Sequence, residues 1–378
     1  MKNFSTIVLT LSTIDKGVFI SLTLRPFYMM KRFKVFVFAP YEISWDRTAA
    51  DKCYEKLKRE GCELVFGEHF TTPTKEELLL LGRDADAFMG VATKQNPITK
   101  EVIENAKNLR IIAKYTIGVD DIDLEAATAN GVLVTNAPIE STYIGVAETT
   151  IAMMLALLKK LILRDKFTRS GLWRNGPVQG TYIHGGIVVG LLGFGRIARE
   201  VARLLQPWRV KLITYSPHTP IDIIKQAGVT SVDLDTLLKE SDVLLVLTSL
   251  TPEKRHMIGE NQLRMMKRTA YLINTARGAL IDEKALVRAL EEKWIAGAAL
   301  DCYEEEPISS DNPLLKLENV LLSPHCASFN EGVGAQVEGV NIATENVLKA
   351  LRGELPSHIV NPEAIPKWKE KFGQPVVE

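Results

Sequence analysis

The sequence predicts an α/β protein built on parallel sheets with helices covering both faces, divided into two units. Three observations carry this. From residue 33 onward, short apolar segments alternate with stretches of helical periodicity, the pattern of a parallel sheet whose strands are buried on both faces. The alternation runs twice, once before and once after a long helical segment over 141–169. The chain has 378 residues, which at about 150 residues per domain suits two domains or three.

Residues 1–29 stand apart from this pattern. They are rich in Ser, Thr and β-branched residues and carry no charge from Phe4 to Ile14. A secretory signal would show a longer apolar core and a small-residue cleavage site, whereas Asp15 and Lys16 interrupt this one. The folded part is expected to begin near residue 30, where Met29-Met30 precedes the apolar Val35-Phe36-Val37. The leader is then a short appendage or the product of an upstream start codon.

The first series places strands at 35–38, 63–66, 87–90, 111–115 and 132–135, with helices at 50–59, 76–81 and 100–106 between them. In 141–169, Ile151, Met154, Leu157, Leu158 and Leu161 recur at helical spacing. That stripe reads as core, and the helix as the link between the units. The second series places strands at 186–192, 211–215, 243–247, 271–274, 296–300 and 320–322, with a helix at 197–205 after the first.

Charge and cysteine usage exclude several classes. Lys+Arg and Asp+Glu both number 46, so no net field favours nucleic acid or an anionic membrane. The best apolar run, 151–158, ends at Lys159-Lys160, well short of the ~20 residues that span a bilayer. Four cysteines without a Cys-x-x-Cys pair predict reduced thiols in a cytoplasmic protein and no metal site.

The second series opens with Gly193-Phe194-Gly195-Arg196-Ile197-Ala198. This is the G-x-G-x-x-A form of the dinucleotide fingerprint. Gly193 makes the tight turn, Gly195 lets a pyrophosphate approach the backbone, and Ala198 packs the helix onto the sheet. The motif alone is weak, but a strand before it and a helix after it supply the required context. The acidic residue expected about 20 positions on is missing; the place reads Tyr215-Ser216-Pro217-His218. Ser216 neither binds both ribose hydroxyls nor repels a 2′-phosphate, and His218 and Lys225 are near enough in sequence to meet one. The cofactor is therefore NAD or NADP.

Three segments follow later strands of the same series. They are Asn274-Thr275-Ala276-Arg277-Gly278, Asp301 through Glu304-Glu305-Glu306-Pro307, and Ser323-Pro324-His325-Cys326-Ala327. Ligands bind at such strand ends in open α/β sheets. Taken singly, each has a bland reading: a surface ion pair, a solvated acidic loop and a structural histidine.

Together with Gly118-Val119-Asp120 and Val146-Ala147-Glu148, these segments make the chain resemble the D-isomer-specific 2-hydroxyacid dehydrogenases. The resemblance runs from about residue 33 to about 360. It implies two Rossmann-like domains, a nucleotide-binding domain at 138–329 inserted into a flavodoxin-like substrate domain at 30–137 and 330–378. It also implies a homodimer to which the long helix contributes.

By resemblance, Arg277 binds the carboxylate of a 2-oxo or 2-hydroxy acid and polarises its ketone, and His325 delivers the proton. Glu306 would hydrogen-bond His325 and favour imidazolium, so that an acid persists near neutral pH. Asp301 would orient the nicotinamide carboxamide. Thr150, Gly193, Phe194, Gly195, Arg196, Ile197, Ser216, Ser249, Thr275, Ala276 and Ala327 complete the implied cofactor set. Backbone amides at Val91, Ala92 and Thr93 would hold the substrate carboxylate with Arg277 and His325.

The implied substrate is a small D-2-hydroxy or 2-oxo acid, glyoxylate- or hydroxypyruvate-like or phosphoglycerate-like, and the first two are preferred. Phosphoglycerate-using members often have Arg-Ser where this chain has Gly90-Val91, and the stretch after Pro356 is short for the regulatory domain some of them carry. Formate dehydrogenases of this fold pair the histidine with Gln, which Glu306 contradicts. A phosphite dehydrogenase shares the Arg–Glu–His set and stays open. A nucleotide-sensing interaction protein, as in the corepressors of this fold, is the alternative from another class; the chain shows no low-complexity arm for it.

Overall fold

The computed structural model describes residues 6–14, 17–25, 32–38, 47–67, 73–91, 96–174 and 176–373. The chain divides into two compact units, one of Met1–Ala137 with Gly339–Glu378 and one of Pro138–Glu338. At the front, β1 (Thr6–Ile14) and β2 (Gly17–Arg25) pair antiparallel over their full length. Neither joins one of the two larger sheets.

The first unit holds β3 (Lys34–Phe38), β4 (Glu63–Phe66), β5 (Ala87–Gly90), β6 (Ile111–Lys114) and β7 (Leu133–Thr135). They are parallel, in the order β4-β3-β5-β6-β7, the flavodoxin-like arrangement. Every residue of β5, β6 and β7 is buried, which is why these strands read as largely apolar; the exception in charge, Lys114 at the end of β6, is paired with Asp121. Phe36, Phe38, Phe88 and Ile112 centre the core. Thr74 and Glu77 form a reciprocal capping box that starts the helix Lys75–Gly82. The C-terminal segment is tied in by Asn361, whose Oδ1 accepts from the Val134 amide at 2.8 Å.

The second unit holds β8 (Val188–Leu192), β9 (Lys211–Tyr215), β10 (Thr230–Ser231), β11 (Val243–Val246), β12 (Tyr271–Asn274), β13 (Gly297–Leu300) and β14 (Val320–Leu322). All run parallel, in the order β10-β9-β8-β11-β12-β13-β14. This is the doubly wound Rossmann order with a seventh strand, reversing direction between β8 and β11. Leu244 and Leu272 face one apolar layer, and Leu245 and Ile273 face the other. The two-residue β10, with both residues exposed, carries no apolar run and escapes the sequence pattern.

One expectation is corrected. The segment 141–169 is two helices, Glu140–Leu158 and Leu161–Arg169, broken where Lys160 takes a left-handed φ of 52°. The apolar stripe ends at Leu158, and the second helix has no buried residue, so no core rewards a continuous helix. The chain returning at 177–181 takes over the freed groups: the Thr181 amide donates to Leu158 O at 2.8 Å, and Lys160 Nζ to Pro177 O at 3.0 Å. Glu140–Leu158 is long and apolar enough to cross a membrane by composition alone. Its Ala147, Met153, Met154 and Leu158 instead pack into the core of the second unit.

Candidate active site

The parallel sheet of the second unit sets the site's layout. Gly193 follows β8, Ser249 lies just beyond β11, Arg277 follows β12, Asp301 follows β13 and His325 follows β14. These strands are consecutive neighbours. Residues far apart in the chain therefore emerge side by side at the C-terminal edge of one sheet, where such folds bind ligands.

The glycine turn fits a dinucleotide's phosphates. Gly193 has φ +95°, and a Cβ there would lie 2.9 Å from the Thr248 backbone, so only glycine permits this crossing. A Cβ on Gly195 would meet nothing within 4 Å, which leaves open space over the backbone. Gly195 starts the helix Arg196–Leu205, whose first turn has no side-chain cap, so its amides point to that space with the positive helix end behind them. Phe194 is buried, while Arg196 is exposed and Ile197 half-buried. After β9, Ser216 is half-buried and its Oγ lies 2.8 Å from Thr219 Oγ1; His218 and Lys225 are exposed. Ser249 is exposed, and its carbonyl accepts from Lys254 Nζ at 3.4 Å.

Asn274, the last residue of β12, shapes the arginine loop. Its Oδ1 accepts from the Ala276 amide at 3.0 Å, and its Nδ2 donates to Arg277 O at 2.9 Å. Arg277 is half-buried, with one terminal nitrogen donating to Ala276 O at 2.8 Å. Thr275 is buried, and its hydroxyl lies 2.7 Å from that of Thr150 on the long helix. Thr150 is itself fully buried and donates to Val146 O at 2.7 Å.

The acidic run divides into three different environments. Glu304 pairs with His256, Glu305 is exposed, and Glu306 pairs with His325 at 3.0 Å between Oε2 and Nδ1. The other Glu306 oxygen accepts from the Tyr303 amide at 2.9 Å. With Nδ1 turned to the carboxylate, Nε2 is left as the imidazole's outward nitrogen, on a side chain 46% exposed. Burial pushes the Tyr303 phenol up to about 12. It donates to Ser323 O at 2.9 Å.

Gly278 explains how the arginine and glutamate loops can pack together. A Cβ there would lie 1.9 Å from the Tyr303 carbonyl carbon, so any side chain would push the two loops apart. Asp301 is 1% exposed; its amide donates to Asn274 O at 2.9 Å, and its carboxylate accepts from the histidine loop through Ser323, Cys326 and Ala327.

Of the residues proposed for the substrate, Val91 is half-buried at the end of β5 in the first unit, while Ala92 and Thr93 lie outside the described residues. Among the described residues no group of three or more His, Cys, Asp or Glu is placed to hold a metal. A cavity of about 440 Å³ lies at the other, N-terminal edge of the second unit's sheet, lined by Arg268, Lys293, Ala296 and Asn319. It has neither the glycine turn nor the imidazole–carboxylate pair, so the chemistry assigns the site to the C-terminal edge. Asn274 and Thr149, the latter donating its hydroxyl to Ala327 O at 3.1 Å, were given no role by the sequence reading. Asn274 alone had a signal there, its place at the head of the Asn-Thr-Ala-Arg-Gly segment.

Comparison with known proteins gives the same direction. The profile described as "D-isomer specific 2-hydroxyacid dehydrogenase, NAD binding domain" matches residues 151–327. A glyoxylate reductase of Korarchaeum cryptofilum is 40% identical over 312 residues, 81% of this chain and 92% of that one. A D-3-phosphoglycerate dehydrogenase of Methanocaldococcus jannaschii is 40% identical over 302 residues, 80% of this chain and 56% of that one. Among solved structures, a glyoxylate reductase from Paecilomyes thermophila is similar at a TM-score of 0.74 and 30% identity, over 86% of this chain and 98% of that one.

Proposed function

The chain belongs to the D-isomer specific 2-hydroxyacid dehydrogenase family, and on that premise we propose that it reduces glyoxylate or hydroxypyruvate to the corresponding 2-hydroxy acid. The observation that carries this reading is the His325–Glu306 pair at 3.0 Å, on the strand ends next to Arg277. A bound reduced nicotinamide supplies the hydride; the chain's own residues supply binding, orientation and the proton. Arg277 binds the carboxylate and draws electron density from the ketone. His325, as imidazolium, passes the Nε2 proton to the alkoxide oxygen as it forms. Glu306, facing Nδ1, stabilises the charged ring before transfer and holds the Nδ1–H tautomer afterwards.

The small substrate is supported by Gly90. It has φ +152°, and a Cβ there would lie 2.0 Å from Phe38 O, so the arginine common in phosphoglycerate-using members has no room. The test is turnover by purified protein with NADH or NADPH and a panel of glyoxylate, hydroxypyruvate, pyruvate, longer 2-oxo acids and phosphohydroxypyruvate. Cofactor binding without turnover of any pair would overturn the enzymatic reading and favour a nucleotide-sensing role.

For the cofactor, the uncharged Ser216 beside Thr219 supports use of NADPH as well as NADH. Ser216→Asp would place a carboxylate against the 2′-phosphate. It is expected to shift the kcat/KM ratio towards NADH by at least about tenfold, since like charges brought together cost more than a tenfold factor's worth of energy. An unchanged ratio would place cofactor choice elsewhere.

A homodimer is supported by exposed apolar side chains on and after the helix Leu161–Arg169. Leu161 is 50% exposed, Trp173 70% and Tyr182 75%, large apolar side chains of the kind that a partner surface covers. Light scattering is expected to give twice the protomer mass; a single-protomer mass would refute this. No disulfide joins any of the four cysteines, all of which lie among the described residues, and burial pushes the Cys62 thiol up to about 11, in keeping with structural thiols in a reducing cytoplasm.

A further inference from the structure

His325 has φ +55°, a left-handed conformation that a non-glycine residue adopts only where its surroundings demand it. The two amides that follow, Cys326 and Ala327, both point to one carboxylate. Asp301 Oδ1 accepts from Cys326 N and Oδ2 from Ala327 N, each at 2.9 Å, and Oδ1 also accepts from Ser323 Oγ at 2.5 Å. Successive amides turned inward by a left-handed residue form a concave anion-binding nest, and here the anion is an internal side chain. From the opposite direction, Thr149 on the helix Glu140–Leu158 donates its hydroxyl to Ala327 O at 3.1 Å. Both backbone groups of Ala327 are thus held, one from the sheet and one from the helix.

We propose that Asp301 and Thr149 are positioning residues for His325, clamping the Cys326–Ala327 backbone so that the histidine keeps its left-handed turn and its ring stays on Glu306. The inference rests on the reading of His325 as proton donor. It gives Asp301 a task distinct from orienting the nicotinamide carboxamide, because in this structure its carboxylate is engaged by the histidine loop. The charge matters as well as the shape. An amide at 301 offers one acceptor oxygen to two amides and turns an N–H towards the other, so the nest would open and His325 would relax to an ordinary backbone angle.

The test is Asp301→Asn, measured for kcat at saturating cofactor, for cofactor Kd by nicotinamide fluorescence, and for the His325 Nδ1–H proton by NMR. The expected result is a fall in kcat of about 100-fold, the scale of a small displacement of a reacting group. Cofactor Kd should stay within about threefold, a change worth less than one hydrogen bond, and the Nδ1–H resonance should disappear. Wild-type kcat with weakened cofactor binding would overturn the proposal in favour of a cofactor anchor, and wild-type kcat with a retained resonance would overturn it outright. If Asp301→Asn does not fold, Thr149→Val decides. A loss of about fivefold in kcat, the worth of one hydrogen bond, at unchanged cofactor Kd supports the clamp; full kcat refutes it. If the native protein turns over no 2-oxo acid, the functional reading fails, while the Nδ1–H resonance still tests the clamp.

Discussion

Arg277→Ala is expected to lower kcat/KM for the 2-oxo acid by about 10³-fold, the cost of removing a donor aimed at developing charge, while cofactor Kd stays nearly unchanged. The guanidinium stands on the loop after β12, held by Asn274 on its backbone and by Ala276 O on its side chain. Its removal therefore leaves the glycine turn after β8 untouched. Arg277→Lys should recover only part of the loss, because an ammonium cannot present two parallel donors to a carboxylate and ketone together. Steady-state kinetics with separate cofactor titration checks both variants. Unchanged turnover in the alanine variant would remove Arg277 from the mechanism.

His325→Gln is expected to lower kcat for reduction by about 10³-fold, within the range that a positioned acid contributes. Cofactor Kd should stay nearly unchanged, because the imidazole stands on the loop after β14 and not at the glycine turn. A variant that kept the native kcat would place the proton donor elsewhere. Phosphite oxidation also shares the Arg–Glu–His set, and the substrate panel extended to phosphite separates it from hydroxy-acid chemistry.

Most of the β structure of the two large sheets was legible in the sequence, for a physical reason. Strands buried on both faces are apolar nearly throughout, so 87–90, 188–192 and 243–246 show in composition alone. The glycine turn was legible because Gly193 answers to a local φ of +95°, a demand no other residue type meets cheaply. The helix break at Lys160 was not, because helical period continues through Leu161 and only the returning chain at 177–181 shows where it stops. Short helices such as Leu234–Glu240 and Glu260–Met265 span two turns or fewer, too little period to separate from loop.

The run Glu304-Glu305-Glu306 shows where the boundary lies. By itself the sequence determined that an acidic segment follows a buried strand, in the order that brings Arg277, Asp301 and His325 to successive strand ends. Only the tertiary structure decided that Glu304 meets His256, that Glu305 faces solvent, and that Glu306 meets His325. Likewise, Asp301 lies 25 residues before Cys326 and Thr149 lies 178 before Ala327, and nothing in the local pattern at 149 anticipates that bond. Periodicity and turn chemistry act over a few residues, because they arise from backbone sterics and neighbouring side chains. Which distant groups touch depends on strand order and on how closely loops pack at the sheet edge, where the missing Cβ of Gly278 lets the arginine and glutamate loops meet.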